Sequence, residues 1–94
     1  MAIFHQTINV STTPIRIAEA EDGVQKVMVY VFNNDASANM FVGDSTVTAN
    51  TGADLGYKIP KDTGYAFEIY GGEELYAVST TNIEVSVMTT GNHP

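Results

Sequence analysis

The sequence predicts an all-β protein, a single antiparallel β-sandwich of jelly-roll-like or related topology. Three observations predict it. Apolar and polar residues alternate with a period of two, as at Ile83, Val85 and Val87 against Glu84, Ser86 and Met88. That period belongs to a half-buried strand. Turn-forming residues break the alternation roughly every eight to twelve residues, the spacing of sandwich strands. Apolar residues three and four apart never persist for three turns, so nothing reads as an amphipathic helix.

The first strand is Ile3–Val10, and Thr13-Pro14 ends it. Pro14 lacks an N–H and suits a strand start or an edge. Ile15–Ala20 follows, with Ile15 and Ile17 on one face. Glu21-Asp22-Gly23 reads as a hairpin turn, because Asp-Gly tolerates positive φ. Its expected partner strand, Val24–Phe32, is apolar on both faces, Val27, Val29 and Val31 against Met28, Tyr30 and Phe32. Such a strand is central, or its outer face meets another subunit. Asn33-Asn34-Asp35 is turn-prone. Asn39–Val42 and Thr46-Val47-Thr48 are short strand candidates, separated by Gly43-Asp44 and followed by a loop at Asn50-Thr51-Gly52. Leu55–Ile59 alternates and stops at Pro60. Tyr65–Tyr70 places Tyr65, Phe67 and Ile69 on one face, and Gly71-Gly72 turns the chain again. Glu74–Ser79 and Ile83–Thr89 read as a closing hairpin through Thr80-Thr81-Asn82, and the tail 91–94 should fray. The expected core is Ile15, Ile17, Val27, Val29, Val31, Leu55, Ile59, Phe67, Ile69, Ile83, Val85 and Val87.

Ninety-four residues, 44% of them hydrophobic, make one domain with one core (residues 1–94). So short a chain buries only part of its surface, and oligomerisation or docking would add stability. The net charge is −7, with Arg16, Lys26, Lys58 and Lys61 the only cations. Nucleic-acid binding neutralises phosphates with clustered Lys and Arg, so no nucleic-acid partner is expected. An anionic membrane surface is disfavoured on the same ground. Without cysteine there are no disulfides, zinc thiolates or thiol nucleophiles. Residues 1–10 lack the pattern of a secretory signal, and no apolar run approaches the ~20 residues of a membrane helix.

No motif announces catalysis or a cofactor. His5 and His93 are isolated from each other and from paired carboxylates. Glu73 and Glu74 are adjacent, so a strand would point them to opposite sides. Asp35, Asp44, Asp54 and Asp62 fall in loops that could gather round calcium, but no Asp-x-Asp-x-Asp-Gly spacing exists and turn formation explains each one. There is no Gly-x-Ser-x-Gly, and Gly71-Gly72 leads into a strand rather than a phosphate-binding helix. Asn9-Val10-Ser11 matches a glycosylation sequon by chance. Tyr30, Tyr57, Tyr65, Tyr70 and Tyr76 suit a protein interface or core better than a carbohydrate platform.

One resemblance goes further. Met40-Phe41-Val42-Gly43-Asp44-Ser45-Thr46-Val47-Thr48, then Thr51-Gly52-Ala53-Asp54-Leu55, Gly71-Gly72-Glu73-Glu74-Leu75-Tyr76-Ala77-Val78 and a last strand with Val85 and Val87 resemble small β-rich virion proteins of tailed bacteriophages. The likeness runs from about Asn33 to Gly91, while Tyr65–Tyr70 is more aromatic than that group implies. The resemblance implies a capsid decoration (cement) protein. Such a protein has no enzymatic activity, is often trimeric, and sits on the outer capsid surface after assembly in the host cytoplasm. Its partner would be the major capsid protein. The expected contact residues are Ile3, Phe4 and Ile8 in the terminal strand and Met28, Tyr30 and Phe32 on the outer face of the doubly apolar one. For Ile3, Phe4 and Ile8 the competing reading is core packing. The rival function is a tail-fibre or adhesion module that binds host carbohydrate.

Overall fold

A computed structural model describes residues 2–20, 26–49, 52 and 54–91. Among the described residues eight strands carry the fold: β1 (Ala2–Val10), β2 (Ile15–Glu19), β3 (Val27–Asn33), β4 (Met40–Gly43), β5 (Tyr57–Ile59), β6 (Gly64–Ile69), β7 (Glu74–Ser79) and β8 (Ile83–Gly91). They form two four-stranded antiparallel sheets. Sheet A has the order β1-β8-β3-β6 and sheet B the order β2-β7-β4-β5. β1 pairs with β8, β2 with β7, β3 with β6 and β4 with β5. First pairs with last throughout, as in one long antiparallel ribbon. Pairing β3 with β8 and β4 with β7 wraps that ribbon into two sheets. This is the connectivity of a jelly roll.

The core lies between the sheets. Val27, Val29 and Val31 from β3 and Ile83, Val85 and Val87 from β8 face it from sheet A. Met40, Val42, Ile59, Leu75 and Ala77 face it from sheet B. β3 and β8 are central, so their inward residues are covered along the whole strand, and β-branched side chains suit that surface. The expected core residues Ile17, Ile59 and Ile69 are buried as well. Val10, Met40, Val42, Leu75 and Ala77 join them.

Three expected core residues depart from the pattern. Ile15 is 39% exposed, because the register shifts between Arg16 and Ala18 and the alternation restarts there, burying Ile17 and Ala18 together. Leu55 is 43% exposed: it precedes β5 and makes only a single parallel bridge with Thr48. The stretch 46–48 therefore forms no ladder, and the strand that was expected to start at Leu55 starts at Tyr57. Phe67 is half-buried because β6 is an edge strand.

Both expected hairpins are absent. β2 pairs with β7 in sheet B while β3 lies in sheet A, and β7 and β8 also belong to different sheets. A turn signal reports that the chain reverses, not that the flanking strands bond. Here both connections cross the sandwich, because each pair of strands buries its apolar faces against each other. Glu21-Asp22-Gly23 and Val24 lie outside the described residues, as do Asn50, Thr51 and residues 92–94 with His93. Gly91, placed by the sequence in the tail, pairs with Ala2 and Val27.

One buried amide ties the end of β3 to the turns around it. Asn33 is fully buried, and its Nδ2 donates to the carbonyls of Ala38 (2.9 Å) and Ile59 (3.3 Å), with Pro60 at 3.4 Å. Its Oδ1 accepts from the Asp35 N–H at 3.0 Å. A carboxamide both donates and accepts, which is what this junction of opposite groups needs. The Ser79 hydroxyl, also buried, donates to the Asn39 carbonyl at 2.9 Å.

Removing these groups has calculable consequences. Val85→Ala takes two methyl groups from a fully buried site and is expected to cost about 2 kcal/mol. Asn33→Ala strands buried carbonyls without a donor and is expected to cost about 2–3 kcal/mol. Asn34→Ala, at the exposed neighbouring position, should cost about 0.5 kcal/mol or less. Urea unfolding gives all three values. Equal costs at positions 33 and 34 would mean that the buried amide is not the clamp.

Candidate interaction face

The outer side of sheet A is built by register. Residues directly opposite in antiparallel strands share a face. Tyr30 lies opposite Met88 on one side and Ala66 on the other, and His5 lies opposite Met88. The next row runs Thr7, Ser86, Phe32, Gly64, and the row on the other side runs Ile3, Thr90, Met28, Glu68. Ile3, Tyr30, Phe32 and Met88 are exposed on this face.

The two aromatic residues of β3 have small neighbours on β6, Ala66 opposite Tyr30 and Gly64 opposite Phe32. A Cβ built on Gly64 would stand 2.8 Å from Phe32 Cδ2 and 3.0 Å from the Val31 carbonyl oxygen. Glycine at that position lets the Phe32 ring lie over the backbone of β6. The result is an open groove of about 690 Å³, with His5, Thr7, Tyr30, Phe32, Tyr65 and Met88 among its walls. Among the described residues no Asp, Glu, Lys or Arg lines it. Polar groups at its side come from Thr7 and from Ser86, whose hydroxyl oxygen accepts from Asn34 Nδ2 at 2.7 Å.

The outer side of sheet B differs. There residues 44–49 and 54–56 fold back, and Val47 is buried. A Cβ on Gly43 would lie 3.1 Å from Val47 Cγ2, and one on Gly56 would lie 2.4 Å from the same atom. Val78 is buried and shares a cleft with Val47, Thr46 and Thr48. Among the described residues the chain thus covers one outer face with its own loop and leaves the other open.

The six expected contact residues divide between two surfaces. Ile3, Met28, Tyr30 and Phe32 meet on the outer face. Phe4 and Ile8 share the inward side of β1, opposite Thr89 and Val85. Ile8 packs against the core, while Phe4 is 59% exposed and lines a cleft with Arg16 and Glu19 of β2. Met88, Gly64 and Ala66 complete the groove and were not singled out from the sequence. The signal was an apolar Met88 on the otherwise polar face of β8, and two small residues in an aromatic segment.

Titratable groups elsewhere serve local structure. Asp35 accepts from the N–H groups of Ser37 (2.9 Å) and Ala38 (2.6 Å) and from the Ser37 hydroxyl (3.1 Å). These bonds, the Ser37 N–H foremost, hold its pKa below the ordinary carboxylate value. The Thr46 hydroxyl (2.7 Å) and N–H (2.9 Å) do the same for Asp44. Arg16 pairs with Glu74 at 2.9 Å and Glu19 at 3.3 Å on the exposed side of β2, where such pairs add little stability. Tyr57 stands edge-on to Tyr65 and Phe67, with centroids 5.7 and 6.1 Å apart, across the gap between β5 and β6. Among the described residues no three His, Asp or Glu side chains gather as a metal site would require. Nor is any helix among them long and apolar enough to cross a membrane.

No protein-family model, curated protein or solved structure matches the chain. The geometry of this face therefore carries the functional argument together with the resemblance drawn from the sequence.

The lowered Asp35 and Asp44 values set a pH dependence. A carboxyl whose folded value lies below its unfolded value, about 3.9, stabilises the fold above that pH, and the contribution is lost as pH falls through the folded value. Urea midpoints should decline as pH drops below about 4. Asp35→Asn should make that decline shallower, and an unchanged slope would show that the turn does not depend on the charge.

Proposed function

We propose that this protein is a structural component of a tailed-phage virion, a decoration protein on the outer capsid surface. Its outer face of sheet A would dock on the major capsid protein and hold neighbouring subunits together. The carrying observation is the asymmetry of the two outer faces: sheet B has its own loop for cover, and sheet A presents a charge-free groove with exposed Tyr30, Phe32 and Met88. Exposed aromatic and Met side chains free of charge are the composition of an interface centre. A small rigid jelly roll supplies the flat, preorganised surface that such docking needs, and the chain acts by binding rather than by catalysis. The phage-like segments quoted above supply the identity of the partner.

A second reading draws on the same groove. Aromatic walls at Tyr30 and Phe32 beside the polar His5, Thr7 and Ser86 also suit a sugar ring, as in a tail-fibre adhesion module.

Particles with and without the protein, compared under heat or osmotic shock, test the proposal. Decorated particles are expected to survive conditions that open bare ones. The double variant Tyr30→Ser, Phe32→Ser should fold and yet bind capsids at least about tenfold more weakly, as loss of a central contact does. Equal resistance of both particle types, with saturable glycan binding by the free protein, would favour adhesion instead.

A further inference from the structure

Four strands end the two sheets: β1 and β6 in sheet A, β2 and β5 in sheet B. An open strand edge offers N–H and C=O groups to any further strand, and natural proteins blunt it with shortness, charge, proline or a bulge. Three of the edges are blunted. β5 has three residues, includes Lys58 and stops at Pro60. β2 is bulged and carries Arg16 with its ion pairs. β6 includes Glu68. β1 has none of these devices. Its nine residues include no Asp, Glu, Lys, Arg or Pro, and they run in unbroken register with β8. Among the described residues no strand pairs with its far side.

We propose that β1 pairs antiparallel with β1 of a second copy, about a two-fold axis through Gln6. The order of side chains in β1 is self-complementary about that residue. The pairing sets Phe4 opposite the partner's Ile8 on the inward side, an apolar cross-strand pair. Gln6 meets the partner's Gln6, and two carboxamides satisfy each other as donor and acceptor. On the outer side His5 faces the partner's Thr7 and Ile3 faces the partner's Asn9. Ile3 and Phe4, 66% and 59% exposed in the single chain, gain neighbours.

Charge and symmetry point to the same occupant. The chain carries −7, so two copies repel over most of their surface, and β1 is a nine-residue stretch where they meet without carboxylates. Pairing of like edges closes after two copies. A trimer joined through sheet edges would need β1 to bond to a different edge, and all of those are blunted. The dimer joins two sheets A into one of eight strands, with Tyr30, Phe32 and Met88 of both copies on the same side. This inference does not depend on the capsid reading and fails or stands without it.

Sedimentation at micromolar protein tests it, with Gln6→Lys and Gln6→Glu. Gln6 is exposed, so both variants should keep the wild-type circular dichroism. Each places like charges opposite one another across the axis, and the dimer dissociation constant should rise about tenfold. An equimolar mixture of the two should restore the dimer, because the axis then sets Lys opposite Glu. Amide exchange in β1 should also slow as protein concentration rises. A monomeric wild type, a trimer indifferent to both variants, or a mixture that stays dissociated would overturn the proposal.

Discussion

The position of β8 between β1 and β3 is the constraint on which the rest of this molecule depends. It joins the beginning of the chain to its end and both to the middle of the first half. Once β8 is in place, β1 lies at the sheet edge, β3 is buried on its inward side, and β7 must cross to the other sheet. The partners are far apart in sequence, so their pairing follows loop closure over most of the chain. What repays that ordering is the continuous apolar seam of Val27, Val29, Val31, Ile83, Val85 and Val87.

Polar groups inside such a seam stay only where they are satisfied. Asn33 and Ser79 are both buried at the end of the sandwich where β3, β4 and β5 connect. Together they take up carbonyls of 38, 39 and 59 that the strand ladders do not reach. Asp35 arranges the same turn from the exposed side, and its backbone carbonyl accepts from the Asp62 N–H at 3.1 Å. Asp62 has φ of 54°, a conformation that short polar residues tolerate. This end is held by specific hydrogen bonds, whereas the opposite face of sheet A has no covering segment among the described residues.

That contrast organises the functional reading. An apolar residue on the outer face of a central strand contributes little to the subunit that carries it. Met28, Tyr30 and Phe32 sit on such a face, and Gly64 and Ala66 leave room for the rings beside them. Val47, which follows β4 and packs on Gly43 and Gly56, shows that this chain can cover an outer face, since it does so on sheet B. Leaving sheet A open, with an undefended β1 at its margin, fits a surface made for other chains.

Period-two alternation by itself determined the all-β class, most strand positions and the inward set of β3 and β8, because side-chain direction in a strand is local. It also marked Met28, Tyr30 and Phe32 as a second apolar face. Strand partners were decided only by the tertiary structure. Asp-Gly and Thr-Asn turn signals are equally compatible with a hairpin and with a crossing between sheets, so both nearest-neighbour pairings read from them differ from the fold. The bulge that exposes Ile15, the loop position of Leu55 and the edge position of Phe67 are likewise non-local, since each depends on what lies alongside. The groove joins His5, Phe32, Gly64 and Met88, which stand in four separate strands. No pattern within one strand carries that proximity; it comes from cross-strand register, and register is settled when the two sheets close over their shared core.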